Sequence, residues 1–165
     1  LKDLAKESIF NILKHSKLLN IELESSNVLD LFSGVGSFGL ECLSRGAKNV
    51  TFLESYADVL SVLKKNINNL NQQNQTKVIE KDIFSENTLK LLNDKFDIIF
   101  MDPPYKEKKL PFLLNAITKL ELLNTDGIII IHRHKKEDDD LPKEFNLILE
   151  KNYGISKIIF GNILT

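Results

Sequence analysis

Residues 27–46 read NVLDLFSGVGSFGLECLSRG, a short apolar run, a glycine-spaced turn and an amphipathic stretch. The glycines Gly34, Gly36 and Gly39 fit G-x-G-x-x-G between a predicted strand (27–32) and a predicted helix (37–46). A strand that runs through such a turn into a helix opens a βαβ unit, and this commits the chain to a parallel sheet. The rest of the sequence keeps the alternation. Strands are predicted at 49–54, 77–82, 96–102 and 127–134, with helices at 4–16, 56–70, 85–94 and 110–123. TDG (125–127) reads as a turn and KKEDDDLPK (135–143) as a charged loop. FNLILEKNYG (145–154) and ISKIIFGNIL (155–164) read as a terminal strand pair joined at a glycine-containing turn. The expected fold is α/β: a doubly wound, mostly parallel seven-stranded sheet with an antiparallel C-terminal strand.

The 165 residues suit one domain, with 1–20 as its N-terminal helical segment. No repeat or long linker divides them. The single cysteine, Cys42, excludes an internal disulfide framework and fits a reducing, cytoplasmic compartment. It falls in an apolar helical pattern, as a core residue would. No apolar run approaches the ~20 residues of a membrane span, so no membrane partner is expected. The net charge of −1 gives no bulk drive toward nucleic acid, so any such contact needs a local patch. No dimer helix is evident, and a monomer is expected.

The glycine loop implies a nucleoside ligand. Gly34 and Gly36 allow a tight turn and close backbone approach, and Gly39 allows the helix to pack on the sheet. Glu54 closes the second strand, 20 residues after Gly34, where its carboxylate can accept from both ribose hydroxyls. Asp30 ends the first strand. A carboxylate there is awkward beside a pyrophosphate but suits a ligand with an ammonium group. S-adenosylmethionine has that group, a sulfonium and no phosphate, so it is expected over NAD. Phe32, in the same loop, is expected among the cofactor-binding residues. Asp82, at the predicted end of the third strand, can accept from the adenine amine, with Ile83 or Phe84 against the ring.

DPPY (102–105) follows the apolar run FDIIFM and stops the fourth strand, because proline neither continues a ladder nor enters a helix interior. An exocyclic amine on a nucleobase is a poor nucleophile, its lone pair being delocalised into the ring. The Asp102 carboxylate and the Pro103 carbonyl can accept from its N–H bonds and stabilise charge that develops on nitrogen. Pro103 and Pro104 stiffen the backbone, and Tyr105 offers a face for a flipped base. The tetrapeptide reads as an amine clamp beside a methyl donor.

The motifs AKESIFNIL (5–13), VLDLFSGVGSFGLECLSRGAKNVTFLE (28–54), FDIIFMDPPY (96–105) and LPKEFNLILEKNYGISKIIFGN (141–162) resemble the bacterial RsmD type of 16S ribosomal RNA guanine-N2 methyltransferase. The resemblance covers nearly the whole chain. It implies a Rossmann-like methyltransferase fold, S-adenosyl-L-methionine as cofactor, and methylation of N2 of the guanine at position 966 in an assembling small-subunit particle. It assigns cofactor binding to Asp30, Gly34, Gly36, Glu54 and Asp82, and the guanine to Asp102, Pro103 and Tyr105. Three positions depart from the family pattern. The family usually begins with a basic β-hairpin and an Arg-Pro-Thr stretch, neither of which is among these residues. His132 stands where the family often has an acid, and Lys6 where it usually has Arg.

Lys106, Lys108 and Lys109 after DPPY, and Arg133 among the basic residues 132–136, are expected to project from the ligand edge toward RNA. The acidic run 137–140 is expected to face away from it. His132 and His134 share a strand face, but no third ligand completes a metal site. Other readings are an amino methyltransferase acting on a DNA base or a protein glutamine, a nicotinamide-dependent oxidoreductase, and a non-catalytic RNA-binding assembly module.

Overall fold

A computed structural model describes residues 1–85 and 87–164. Its seven strands are β1 (Asn27–Leu31), β2 (Asn49–Leu53), β3 (Thr76–Ile79), β4 (Phe96–Met101), β5 (Leu123–His134), β6 (Phe145–Tyr153) and β7 (Ser156–Ile163). They form one sheet in the order β3-β2-β1-β4-β5-β7-β6. β1 to β5 pair in parallel, and β7 runs antiparallel between β5 and β6. The expected doubly wound sheet is therefore present, with β1 beside β4 at the point where the strand order reverses.

Period-two alternation sorts the strand residues between two apolar layers. Val28, Phe52, Ile98, Phe100 and Ile130 pack with α1 (Asp3–His15), α2 (Ser37–Ser44) and α3 (Ala57–Asn69) on one face. Leu29, Leu53, Ile99, Met101 and Ile131 pack with α4 (Leu110–Lys119) on the other. Strands buried on both faces need unbroken apolar runs, which is what FDIIFM and GIIII are. Cys42 lies fully buried in the first layer.

Gly39 sits on α2 where the helix crosses β2. A Cβ there would lie 2.8 Å from both Phe52 Cζ and Val50 Cγ1, so the close approach requires glycine. Gly36 caps α2 at φ +87°, a left-handed conformation, with Leu63 Cδ1 2.5 Å from where its Cβ would be.

Three local expectations are corrected. The helix expected at 85–94 is a single 3-10 turn at Leu89–Leu91, its apolar residues Leu89 and Leu92 being buried from a loop; Glu86 lies outside the described residues. The TDG turn lies within β5, where the register against β4 shifts between Phe96 opposite Leu123 and Ile98 opposite Ile128. The extra residues bulge out of the ladder without ending it. β3 ends at Ile79, so Asp82 belongs to the following turn, where its Oδ1 accepts from the Phe84 N–H at 2.9 Å.

Candidate active site

The carboxyl ends of β1, β2 and β4 open into a cavity of 540 Å³. Its walls include Phe32, Glu54, Asp82 and Ile83, together with Asp102, Pro103, Pro104 and Tyr105. Residues separated by up to 73 positions thus meet because parallel strands end on one edge. Lys81, Phe84, Ser55, Tyr56, Glu107 and His132 complete much of the wall.

At the β1 turn the chain takes left-handed backbone at Phe32 (φ +58°), Gly34 (+55°) and Gly36 (+87°). For an aromatic residue this conformation is rare and costs on the order of 1–3 kcal/mol, as at many functional sites. It presents the Gly34 N–H to Glu54 Oε2 at 2.9 Å. Glu54 Oε1 accepts from the Ser55 and Tyr56 N–H groups at 2.8 and 3.0 Å. Two loops are thereby tied to one carboxylate. Phe32 meets Phe84 in a tilted contact, ring centroids 5.7 Å apart, and Lys109 Nζ lies 4.9 Å from the Phe84 ring centre.

Asp30 does not line the cavity. It is 1% exposed beneath α2, where Oδ2 accepts from the Gly39 N–H at 3.0 Å. Oδ1 is buried without a hydrogen-bond partner. Burial pushes the carboxyl up to about 8, and the nearby Asp102 and Glu54 charges act in the same direction against the Gly39 N–H. Gly34, Gly36 and Gly39 likewise shape the loop and helix beside the cavity.

Asp102 ends β4 one position beyond Met101, which is in register with Ile131 of β5. The next residue on β5 is His132, and its Nδ1 lies 2.6 Å from Asp102 Oδ1. Oδ2 receives the Leu1 main-chain nitrogen at 3.2 Å. Burial pushes the Asp102 carboxyl up, but the His132 hydrogen bond holds it below the usual carboxylate range. Tyr105 is half-exposed and meets His134 and His132 edge-on, with centroids 5.4 and 6.3 Å apart. Both histidines thus share a face near Tyr105.

Arg133 is a correction. Expected at the surface toward RNA, it is fully buried. Alternation turns it away from His132, where its guanidinium binds Asp139 through Nε and Nη2, both at 2.8 Å. Nη1 donates to the Pro104 carbonyl at 3.2 Å and Nη2 to the Glu107 carbonyl at 2.9 Å. Charge on Arg133 is consumed in holding the DPPY loop from behind. The acidic run, expected to point away, is part of that clamp: Asp139 pairs with Arg133, and Glu137 with Lys108 at 2.7 Å. Lys106, Lys108 and Lys109 are exposed, as expected. His132 was visible in the sequence as a strand-end residue one strand beyond Asp102, but its pairing required the β4–β5 register.

A family model described as conserved hypothetical protein 95 matches residues 1–162. The ribosomal RNA small subunit methyltransferase D of Haemophilus influenzae is 30% identical over 158 residues, covering 93% of this chain and 77% of that protein. An uncharacterized methylase of Rickettsia prowazekii is 29% identical, covering 93% of this chain and 84% of that protein. A solved conserved hypothetical protein of Streptococcus pyogenes superposes with a TM-score of 0.81 at 25% identity, covering 97% of this chain and 95% of that one. The chain belongs to the conserved hypothetical protein 95 family, that of the RsmD-type methyltransferases which its motifs resemble.

Proposed function

We propose that this protein methylates ribosomal RNA, taking the methyl group from S-adenosylmethionine, and that the acceptor is the exocyclic N2 amine of a guanine, at position 966 of 16S RNA in an assembling small subunit. One observation carries the reading. A carboxylate suited to ribose hydroxyls, Glu54, and a carboxylate suited to an amine, Asp102, face one cavity from the ends of β2 and β4, which flank β1. The name of the Haemophilus influenzae relative supports ribosomal RNA as the substrate.

The cavity fits a cationic nucleoside. Its walls carry the carboxylates of Glu54, Asp82, Asp102 and Glu107 against one lysine, Lys81. A pyrophosphate would meet repulsion there, whereas an ammonium and a sulfonium are attracted. Glu54 and the β1 turn would hold the ribose. Asp82 would take the adenine amine, with Phe32, Ile83 and Phe84 around the ring. When bound there, S-adenosylmethionine would supply the amine nitrogen with an electrophilic methyl carbon whose leaving atom is sulfur. Asp102 Oδ2 accepts an N–H bond of the amine and stabilises the positive charge that nitrogen gains. The surplus proton departs from nitrogen through Oδ2 to water, Asp102 being a quarter exposed. The Pro103 carbonyl has no hydrogen-bond partner among the described residues, which keeps it available for the second N–H. Tyr105, at the rim, offers the base a stacking face. The two prolines and the Arg133 clamp limit reorganisation of this loop.

Two measurements test the reading. Calorimetric titration should give micromolar binding of S-adenosylmethionine and none of NAD. Glu54→Gln should weaken that binding by about 1–3 kcal/mol through lost charged hydrogen bonds, and unchanged affinity would remove Glu54 from the site. Transfer of labelled methyl to small-subunit particles and to naked 16S RNA, with the product nucleoside identified by mass spectrometry, should yield N2-methylguanosine at position 966. A methylated adenine, or label in protein, would change the acceptor. Cofactor and RNA binding without product would make the chain an assembly module.

A further inference from the structure

Asp102 is fixed from behind by a histidine that the reading above does not use. His132 is 4% exposed, and both ring nitrogens are engaged: Nδ1 with Asp102 Oδ1 at 2.6 Å and Nε2 with Ser156 Oγ at 2.9 Å. Ser156 opens β7 and is 4% exposed. With Asp102 ionised, the bond pattern assigns the proton to Nδ1, which donates to Oδ1, while Nε2 accepts from the Ser156 hydroxyl. The serine, histidine and aspartate stand in the order of a hydrolytic triad, but the cavity end is the aspartate. Ser156 does not line the cavity and is no nucleophile for a ligand there.

We propose that His132 is a positioning residue for the amine-accepting carboxylate: its Nδ1–H holds Oδ1 and so leaves Oδ2 for the amine. The proposal rests on Asp102 being the amine acceptor. A protonated Asp102 would lose the charge that stabilises developing positive charge on nitrogen, and would lose acceptor capacity. Burial favours that neutral form. The groups facing Asp102 are Asp30 from β1, which stays protonated up to about pH 8, and the Leu1 main-chain nitrogen ahead of α1. His132 comes from β5, and beyond it stand His134 and Tyr105. Only the His132 N–H is both buried and anchored by a second hydrogen bond among these groups.

The test compares His132→Asn with His132→Gln and His132→Leu. Asparagine carries an amide N–H near the Nδ1 position, glutamine carries it near Nε2, and leucine carries none. Two quantities are measured: kcat against pH with saturating cofactor and RNA, and the titration midpoint of the Asp102 carboxyl by carbon-13 NMR in the free protein. The Gln and Leu variants should move the acid limb of kcat up by about one pH unit or more and raise the Asp102 midpoint in step. At pH 7, where the carboxyl stays ionised, they should still lower kcat by at least about tenfold with the cofactor KM unchanged, because Oδ2 is no longer held toward the amine. The Asn variant should keep the wild-type limb, midpoint and most of kcat. An unmoved midpoint in the Gln or Leu variant would overturn the proposal. So would an Asn variant as impaired as the Gln variant, because the ring itself would then be required. If Leu does not fold, Gln against Asn gives the same comparison. Wild-type protein that transfers no methyl group would defeat the proposed function, while the NMR midpoints would still decide whether His132 controls Asp102.

Discussion

Asp30 shows how one residue type in one motif takes its role from burial. At the end of β1 it was expected to face a ligand ammonium. Two positions after Val28 on β1, it instead turns to the face that α2 covers, where it accepts from the Gly39 N–H. Its carboxyl is protonated in the fold up to about pH 8, against an ordinary value of 3.8. Between those values the folded state keeps a proton that the unfolded state has lost, so stability falls as pH rises. The contribution is complete below the ordinary value and gone above about 8. Asp30→Asn should therefore flatten the decline in melting temperature from pH 5 to pH 9 and be the more stable form at the alkaline end. Parallel melting curves for the two proteins would mean that Asp30 is ionised or solvated in the fold.

At the scale of elements, the end of β5 organises the DPPY loop from two sides. His132 reaches Asp102 on one face, and Arg133 reaches the Pro104 and Glu107 carbonyls on the other. A buried ion pair rarely adds stability over an apolar pair of similar size, because both charges lose water. Its value here is directional, since a planar guanidinium can hold Asp139 and two loop carbonyls at fixed angles. Arg133→Ala leaves the Asp139 carboxylate, 5% exposed, without its partner and should cost about 3–5 kcal/mol in urea unfolding. Arg133→Leu combined with Asp139→Leu should recover much of that loss while kcat stays depressed, because the loop carbonyls remain unheld. Full recovery of kcat in the double variant would reduce the clamp to a matter of stability.

Across the whole molecule, the near-neutral charge is unevenly distributed. The cavity is acidic and its rim carries exposed lysines. Those lysines are not equivalent. Lys108 is paired with Glu137, and Lys109 lies over Phe84. Lys106→Ala should weaken RNA binding across sequences and reduce the salt slope by about one. Lys108→Ala should do less, since its charge is already compensated by Glu137. Equal effects from the two would mean that RNA displaces the Glu137 pair on binding.

The strand–glycine–helix opening, the alternation of buried runs and helices, and the terminal hairpin were legible because each depends on local periodicity and turn chemistry. Gly39 was legible for the same reason: a residue without Cβ was needed wherever α2 crossed β2, and Phe52 and Val50 supply the crossing. Sequence also indicated that Glu54, Asp82 and Asp102 end on one edge, because parallel strands share a direction. The turn that replaces a helix at 89–91 was not legible, since an apolar spacing of three or four serves a buried loop as well as a helix. Nor were the opposite fates of His132 and Arg133. One strand position separates a residue that grips the Asp102 carboxylate from one that is sealed behind the loop. Which is which depends on the β4–β5 register and on what packs against each face, and long-range pairing alone sets both.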